Sequence, residues 1–249
     1  ISSGTHIGPF YEPWAKARQL RFLDRWLKGI ENGAEHDPPV RLAVRVGSGV
    51  EWRDEGEWPL ARTEWQRLFL DAANGSLSAA KDGERQFVFE ATRDVEFTGP
   101  MAARLWLSSS GQDLDVFLHF HVVDCNGSIR VGVGPQGAPI PMAMGWLRAS
   151  HRTLDAERSL PWRPVHRHSS ASPLVPGEPV ALDIEIWPTS FRLAAGERLV
   201  MRLRASDDDL GVISHNDPQD RDDLRRFTTT VHTGGRFDSA LLVPVIPPK

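Results

Sequence analysis

Residues 96–124 read EFTGPMAARLWLSSSGQDLDVFLHFHVVD, and this stretch decides the fold class. Its second half alternates strictly. Val116, Leu118, Phe120 and Val122 fall on one face, with Asp115, Phe117, His119 and His121 on the other. Successive side chains of a strand point to opposite sides of a sheet, so the pattern predicts a strand with one buried face. Residues 103–107 form a shorter strand of the same kind, and Thr98-Gly99-Pro100 reads as a turn or strand entry before it. Residues 108–112 carry the polar turn residues that would join the two. The expectation is a pair of neighbouring strands in the middle of an all-β body.

Working outward, residues 40–46 set Val40, Leu42, Val44 and Val46 against Arg41, Ala43 and Arg45. Residues 180–187 place Val180, Leu182, Ile184 and Ile186 inward, and residues 199–205 alternate with Arg198, Arg202 and Arg204 outward. Shorter strand candidates lie at 66–71, 86–90, 129–133, 144–149, 227–232 and 240–246, and Pro244 puts the last at an edge or a bulge. Residues 52–55 and 57–59 (WRDE and EWP) read as an aromatic and acidic connection. Residues 153–176, rich in Pro, Ser and His, read as a long crossing loop, and residues 207–223 as an acidic loop. Short strands without intervening helices predict a β-sandwich or jelly roll in which each sheet buries one face.

One helix precedes this body. Pro13 opens a pattern in which Trp14, Ala17, Leu20, Leu23 and Leu27 recur every three or four residues, with Phe22 and Trp26 widening the stripe and Gly29 ending it. Such a stripe needs a partner surface: it packs on the β body, or it has lost the domain it was made to cover. Residues 1–9, ISSGTHIGP, begin abruptly, as a fragment or processed product would. The polar segment 31–39 ends in Pro-Pro and marks the main boundary, giving units 1–30, 31–39 and 40–249.

A chain of 249 residues buries enough surface to need no disulfide or metal staple. Its single cysteine, Cys125, excludes an intramolecular disulfide and suits a reducing, cytoplasmic setting. Asp124, Asn126 and Gly127 around it read as a turn and make it an inert residue rather than a nucleophile. No apolar run approaches the roughly 18 residues of a membrane span, and no signal-peptide pattern opens the chain. A net charge of −4 with no basic block argues against nucleic acid.

The chemistry-bearing residue types are sparse. G-x-S-x-G, the nucleophile turn of α/β-hydrolases, does not occur, and Gly47-Ser48-Gly49 is a strand-end loop. His119 and His121 at i and i+2 stand about 6.5–7 Å apart along a strand and could share a metal. A cupin would add a Glu and a third histidine, and no matching Glu is present. Ordinary imidazoles on an outer sheet face are the competing reading. Asp207, Asp208, Asp209, Asp217, Asp220, Asp222 and Asp223 lack EF-hand spacing and read as a solvated loop. His166 and His168, in a Ser/Pro loop without Cys or acidic partners, read as exposed.

Several stretches together carry a resemblance: LRFLDRWLKG, VRLAVRVG, WRDEGEWPLARTEWQRLFLD, the 96–124 region, GWLRASHR, PLVPGEPVALDIEIWPTS, GERLVMRLRASD, HNDPQDR and HTGGRFDSALLVPVIP. In this order they resemble the C-terminal region of the X-Pro dipeptidyl-peptidase, cocaine esterase and α-amino-acid ester hydrolase family, the CocE/NonD-type hydrolases. The resemblance implies a galactose-binding-like jelly roll appended to an α/β-hydrolase domain, whose nucleophilic Ser and Asp lie upstream. It implies that His6, in the loop before the helix leading to LKG, is the general base toward that serine. It further implies that the sandwich helps shape the substrate cleft and makes domain and subunit contacts in a homo-oligomer. The parent's substrate would be a small peptide, ester or amide, with no cofactor. Losing such a nucleophile costs on the order of 10⁶-fold, so the chain alone is expected to be inactive. Two other readings stand beside it. One is a carbohydrate-binding module with Trp52, Trp58 or Trp162 as stacking platforms. The other is a cupin-like metalloprotein using His119 and His121.

Overall fold

The computed structural model describes residues 8–73, 76–77, 84–134, 137, 139–207 and 226–248. A short turn of helix, α1 (Gly8–Tyr11), leads into α2 (Pro13–Lys28), which has Pro at its first turn and stops at Gly29 in the left-handed conformation (φ 70°). Among the described residues fifteen strands follow: β1 (Val40–Val46), β2 (Gly49–Glu55), β3 (Glu64–Phe69), β4 (Ser76–Leu77), β5 (Glu84–Glu90), β6 (Val95–Ser109), β7 (Asp115–Val123), β8 (Ile129–Arg130), β9 (Gly132–Val133), β10 (Pro139–Ile140), β11 (Ala143–Arg148), β12 (Val180–Leu193), β13 (Arg198–Arg204), β14 (Thr229–His232) and β15 (Ala240–Ile246). The molecule is therefore all-β and sandwich-like, preceded by one long helix. None of the described helices is long and apolar enough to cross a membrane.

The main path runs β3-β15-β6-β12-β11-β7-β13-β5. It curls into two halves that meet where β12 touches β11 through the single register pair Gly145 and Ile186. A Cβ on Gly145 would lie 2.3 Å from the Glu185 carbonyl oxygen, so only glycine permits this closure. Both halves supply one core. Leu105, Leu107, Leu182 and Ile184 of the first share it with Val116, Leu118, Phe120, Leu199 and Leu203 of the second. Phe89 and Phe97 meet edge to face across the halves at 6.1 Å. A smaller cluster, Leu42, Val44, Leu60 and Ile246, seats β1 beside the end of β12.

Register shifts interrupt the pairing of both β12 and β15 with β6. On β12 the shift between Ile186 and Thr189 moves the inward set from Leu182, Ile184 and Ile186 to Phe191 and Leu193. An extra residue in one strand does this because side chains alternate with period two. On β15 a shift falls between Leu242 and Val245, spanning Pro244, in keeping with the bulge expected there.

The core-facing sets read for β1, β7 and β12, the strand at β15 and the bounds of α2 hold as read from the residues, but three expectations about the strands need correction. The two strands of the opening stretch are not neighbours: β6 pairs with β12, β14 and β15, whereas β7 pairs with β8, β11 and β13. Thr98-Gly99-Pro100 lies inside β6 rather than at a turn before it. Trp52-Arg53-Asp54-Glu55 is not a connection but the end of β2, paired along its whole length with β1.

Candidate functional site

Among the described residues, α2 presents a run of exposed large apolar side chains. Among its residues only Ala15 is buried, while Phe22 is 58%, Trp26 57% and Leu27 77% exposed, with Leu20 and Leu23 beside them. The opposite flank is fastened to the following segment and to β2. Arg21 pairs with Asp37 at 3.2 Å, Arg25 with Glu35 at 2.9 Å, and Asn32 donates to the Arg21 carbonyl at 2.8 Å. Trp14 packs on Trp52 with ring centroids 5.5 Å apart, and Arg41 covers that indole. The helix is thus held at the edge of the sandwich with its apolar stripe turned away from the core. Burying five such side chains would stabilise an interface by on the order of 10 kcal/mol, and contiguous exposed apolar stripes of this kind are a common mark of interaction surfaces.

His6 and most of the acidic run, from Asp208 to Asp223, lie outside the described residues. Asp207 is described, and it joins His119: Nε2 donates to Oδ1 at 2.9 Å. His119 and His121 do not stand on an open face, for each is only 2% exposed, as is Phe117 between β11 and β13. The face opposite the core is itself covered, and this corrects the reading of outer-face imidazoles. Among the described residues no group of three His, Cys, Asp or Glu side chains is arranged to hold a metal ion. Cys125 is a free, exposed thiol in a turn closed by Gly127 donating to the Asp124 carbonyl.

The tryptophans proposed as sugar platforms are each engaged. Trp52 carries Trp14 and Arg41, Trp162 stacks on Trp65 at 5.7 Å and 7°, and Trp58 packs against the smaller core cluster.

A cleft of about 450 Å³ opens on the covered side of β7, β11 and β12, lined by Phe117, Trp146, Arg148, His151, Glu185 and Trp187 among others. Trp146 and Trp187 meet edge to face at 5.1 Å. Arg148 is spent on Asp115, with contacts of 2.8 and 3.1 Å. Burial raises the Glu185 carboxyl above its ordinary value, with Arg163 opposing. His166 and His168 reach the same cleft from the crossing loop. His168 is exposed as expected, but His166 is half-buried; His168 meets both His166 and His151, the last of which the residue pattern did not single out. No local signal could have found that meeting, because it depends on the loop folding back over β11.

Residues 32–242 match the model of the X-Pro dipeptidyl-peptidase C-terminal non-catalytic domain. The chain belongs to that family. Among curated relatives, the cocaine esterase of Rhodococcus sp. is 24% identical over an alignment covering 90% of this chain and 45% of that protein. A Mycobacterium bovis protein named provisionally as a serine esterase is 25% identical, covering 76% of this chain and 35% of its own length. Among solved structures, a CocE/NonD family hydrolase of Staphylococcus aureus superposes with a TM-score of 0.84 at 25% identity, over 96% of this chain and 47% of that one. The domain thus spans between a third and a half of the relatives it matches, and it is the non-catalytic portion of a family of esterases and peptidases.

Proposed function

We propose that this chain is the C-terminal accessory domain of a serine hydrolase, inactive by itself, whose nucleophilic Ser and Asp lie in an upstream α/β-hydrolase domain. The observation that carries this reading is the exposed Leu20, Phe22, Leu23, Trp26 and Leu27 stripe in front of a matched non-catalytic domain. In this reading residues 1–30 are the tail of the hydrolase domain, 31–39 the linker and 40–249 a jelly roll of the galactose-binding-like type. His6 is the general base that takes a proton from the upstream serine as an acyl-enzyme forms. The sandwich borders the substrate cleft and contributes to contacts between domains and subunits. A small peptide, ester or amide is the substrate class, in line with relatives named as esterases.

Labelling with a fluorescent fluorophosphonate tests this. The full-length protein, with its upstream domain, is expected to label and this chain alone to remain dark. Stoichiometric labelling of the chain alone would place a nucleophile within these residues and overturn the reading.

A further inference from the structure

The crossing loop returns to the end of β11 through a knot of three imidazoles that the hydrolase reading leaves unused. His151 closes the 3-10 turn Ala149–His151 that follows β11. His166 is held on the loop by its bridge to Leu154, and His168 follows two residues later. The Nδ1 atoms of His151 and His168 stand 3.3 Å apart, and the ring of His166 lies 5.7 Å from that of His168. That nitrogen separation is that of a long N–H···N hydrogen bond between the two rings. It also equals the edge of a tetrahedron: two nitrogens bound to one zinc ion at about 2.0–2.1 Å sit about 3.3–3.4 Å from each other.

Two further observations point to a ligand. His166 Nε2 is buried without a hydrogen-bond partner, although buried ring nitrogens are normally paired. His168, moreover, adopts a left-handed backbone (φ 51°), the only non-glycine residue with positive φ among those described. Such conformations persist where surroundings or ligands enforce them.

We propose that His151 and His168, through their Nδ1 atoms, and His166, through Nε2, form a site for a divalent transition-metal ion such as Zn²⁺ that clamps the crossing loop to the end of β11. His151 and His168 are already spaced as ligands. His166 completes the set by a swing of its ring, since no three such side chains converge on one point before the ion arrives. The fourth position is open to water, and Glu185 lines the same cleft. The site is independent of the hydrolase reading, because it uses neither His6 nor the helix face.

The test is calorimetric titration of Zn²⁺ into the untagged, chelator-stripped full-length protein, with Mg²⁺ as the control ion. One Zn²⁺ per chain is expected, weakened about tenfold or more by His151→Gln and by His168→Asn, and weakened also by His166→Gln. Asparagine at 168 tolerates the left-handed backbone, so that variant removes the ligand and keeps the loop. His36→Gln, remote from the cluster, is expected to leave affinity unchanged. In the unaltered protein, Zn²⁺ is expected to shift the imidazole nuclear magnetic resonance signals of all three histidines. Absence of saturable Zn²⁺ binding, binding that survives both His151→Gln and His168→Asn, or unshifted imidazole signals would each overturn the proposal, the last without recourse to any variant.

Discussion

Arg53 on β2 grips Glu96 on β6 with two hydrogen bonds, 2.8 Å from Nη1 to Oε2 and 2.6 Å from Nη2 to Oε1. The pair belongs to a wider network. Thr98 donates to the same carboxylate at 2.8 Å, Arg192 lies 3.6 Å away, and Arg53 and Arg62 converge on Glu55. Because β1 and β2 carry the helix, this network ties the helix-bearing edge to the central strand of the sandwich.

Arg53 keeps Glu55 as a partner, but Glu96→Gln removes a charged acceptor that takes two of its hydrogen bonds, so it is expected to destabilise the domain by about 2 kcal/mol. The pH dependence follows from the carboxyl's position. Burial alone would raise its pKa, but hydrogen bonds from Arg53 and Thr98 and the charges of Arg53 and Arg192 outweigh it and hold the value below 4.5. A carboxyl depressed in the folded state gives stability that is complete above its unfolded pKa and lost as pH falls through the folded value. Chemical denaturation should therefore show a loss below about pH 4.5 that is smaller in Glu96→Gln. Identical acid profiles for the two proteins would contradict this.

Gly145→Ala places a methyl group 2.3 Å from the Glu185 main-chain oxygen, which no side-chain rotation relieves. The expected cost is about 3 kcal/mol, seen as a fall in thermal midpoint, because the two halves of the sheet must separate at their junction. Gly177→Ala is a useful contrast. Nothing lies within 4 Å of a Cβ there, so only its backbone conformation (φ 81°) resists the change.

Phe22→Ser combined with Trp26→Ser removes two exposed side chains from the docking stripe. Stability of the isolated chain should change by no more than about 0.5 kcal/mol. Self-association in the ultracentrifuge and binding of a hydrophobic dye should both fall relative to the unaltered chain. A clean, dye-free monomer before any substitution would show that the stripe does not act as a docking face.

His6→Ala in the full-length protein is expected to lower kcat by at least about 10⁴-fold, as loss of a triad base does. Binding of an uncleaved ester analogue should survive. Retention of turnover within about tenfold would remove His6 from the mechanism.

The residues alone determined most of the strand segments and the core-facing side of β1, β7 and β12. The runs Val40–Val46 and 180–187 alternate because a half-buried strand must, and Pro13 and Gly29 bound the helix for local steric reasons. The family resemblance, spread along the chain in order, also carried the non-catalytic role. Only the tertiary structure decided the rest. Period two specifies a face but not the neighbour, so nothing local could separate β6 from β7 by two intervening strands. Nor could it show that the second face of β7 is covered, turning His119 and His121 from surface candidates into buried side chains. The imidazole knot has the same origin. His151 and His168 are seventeen residues apart on a turn and an irregular loop, and their meeting is settled by packing across the sheet, which no short-range pattern encodes.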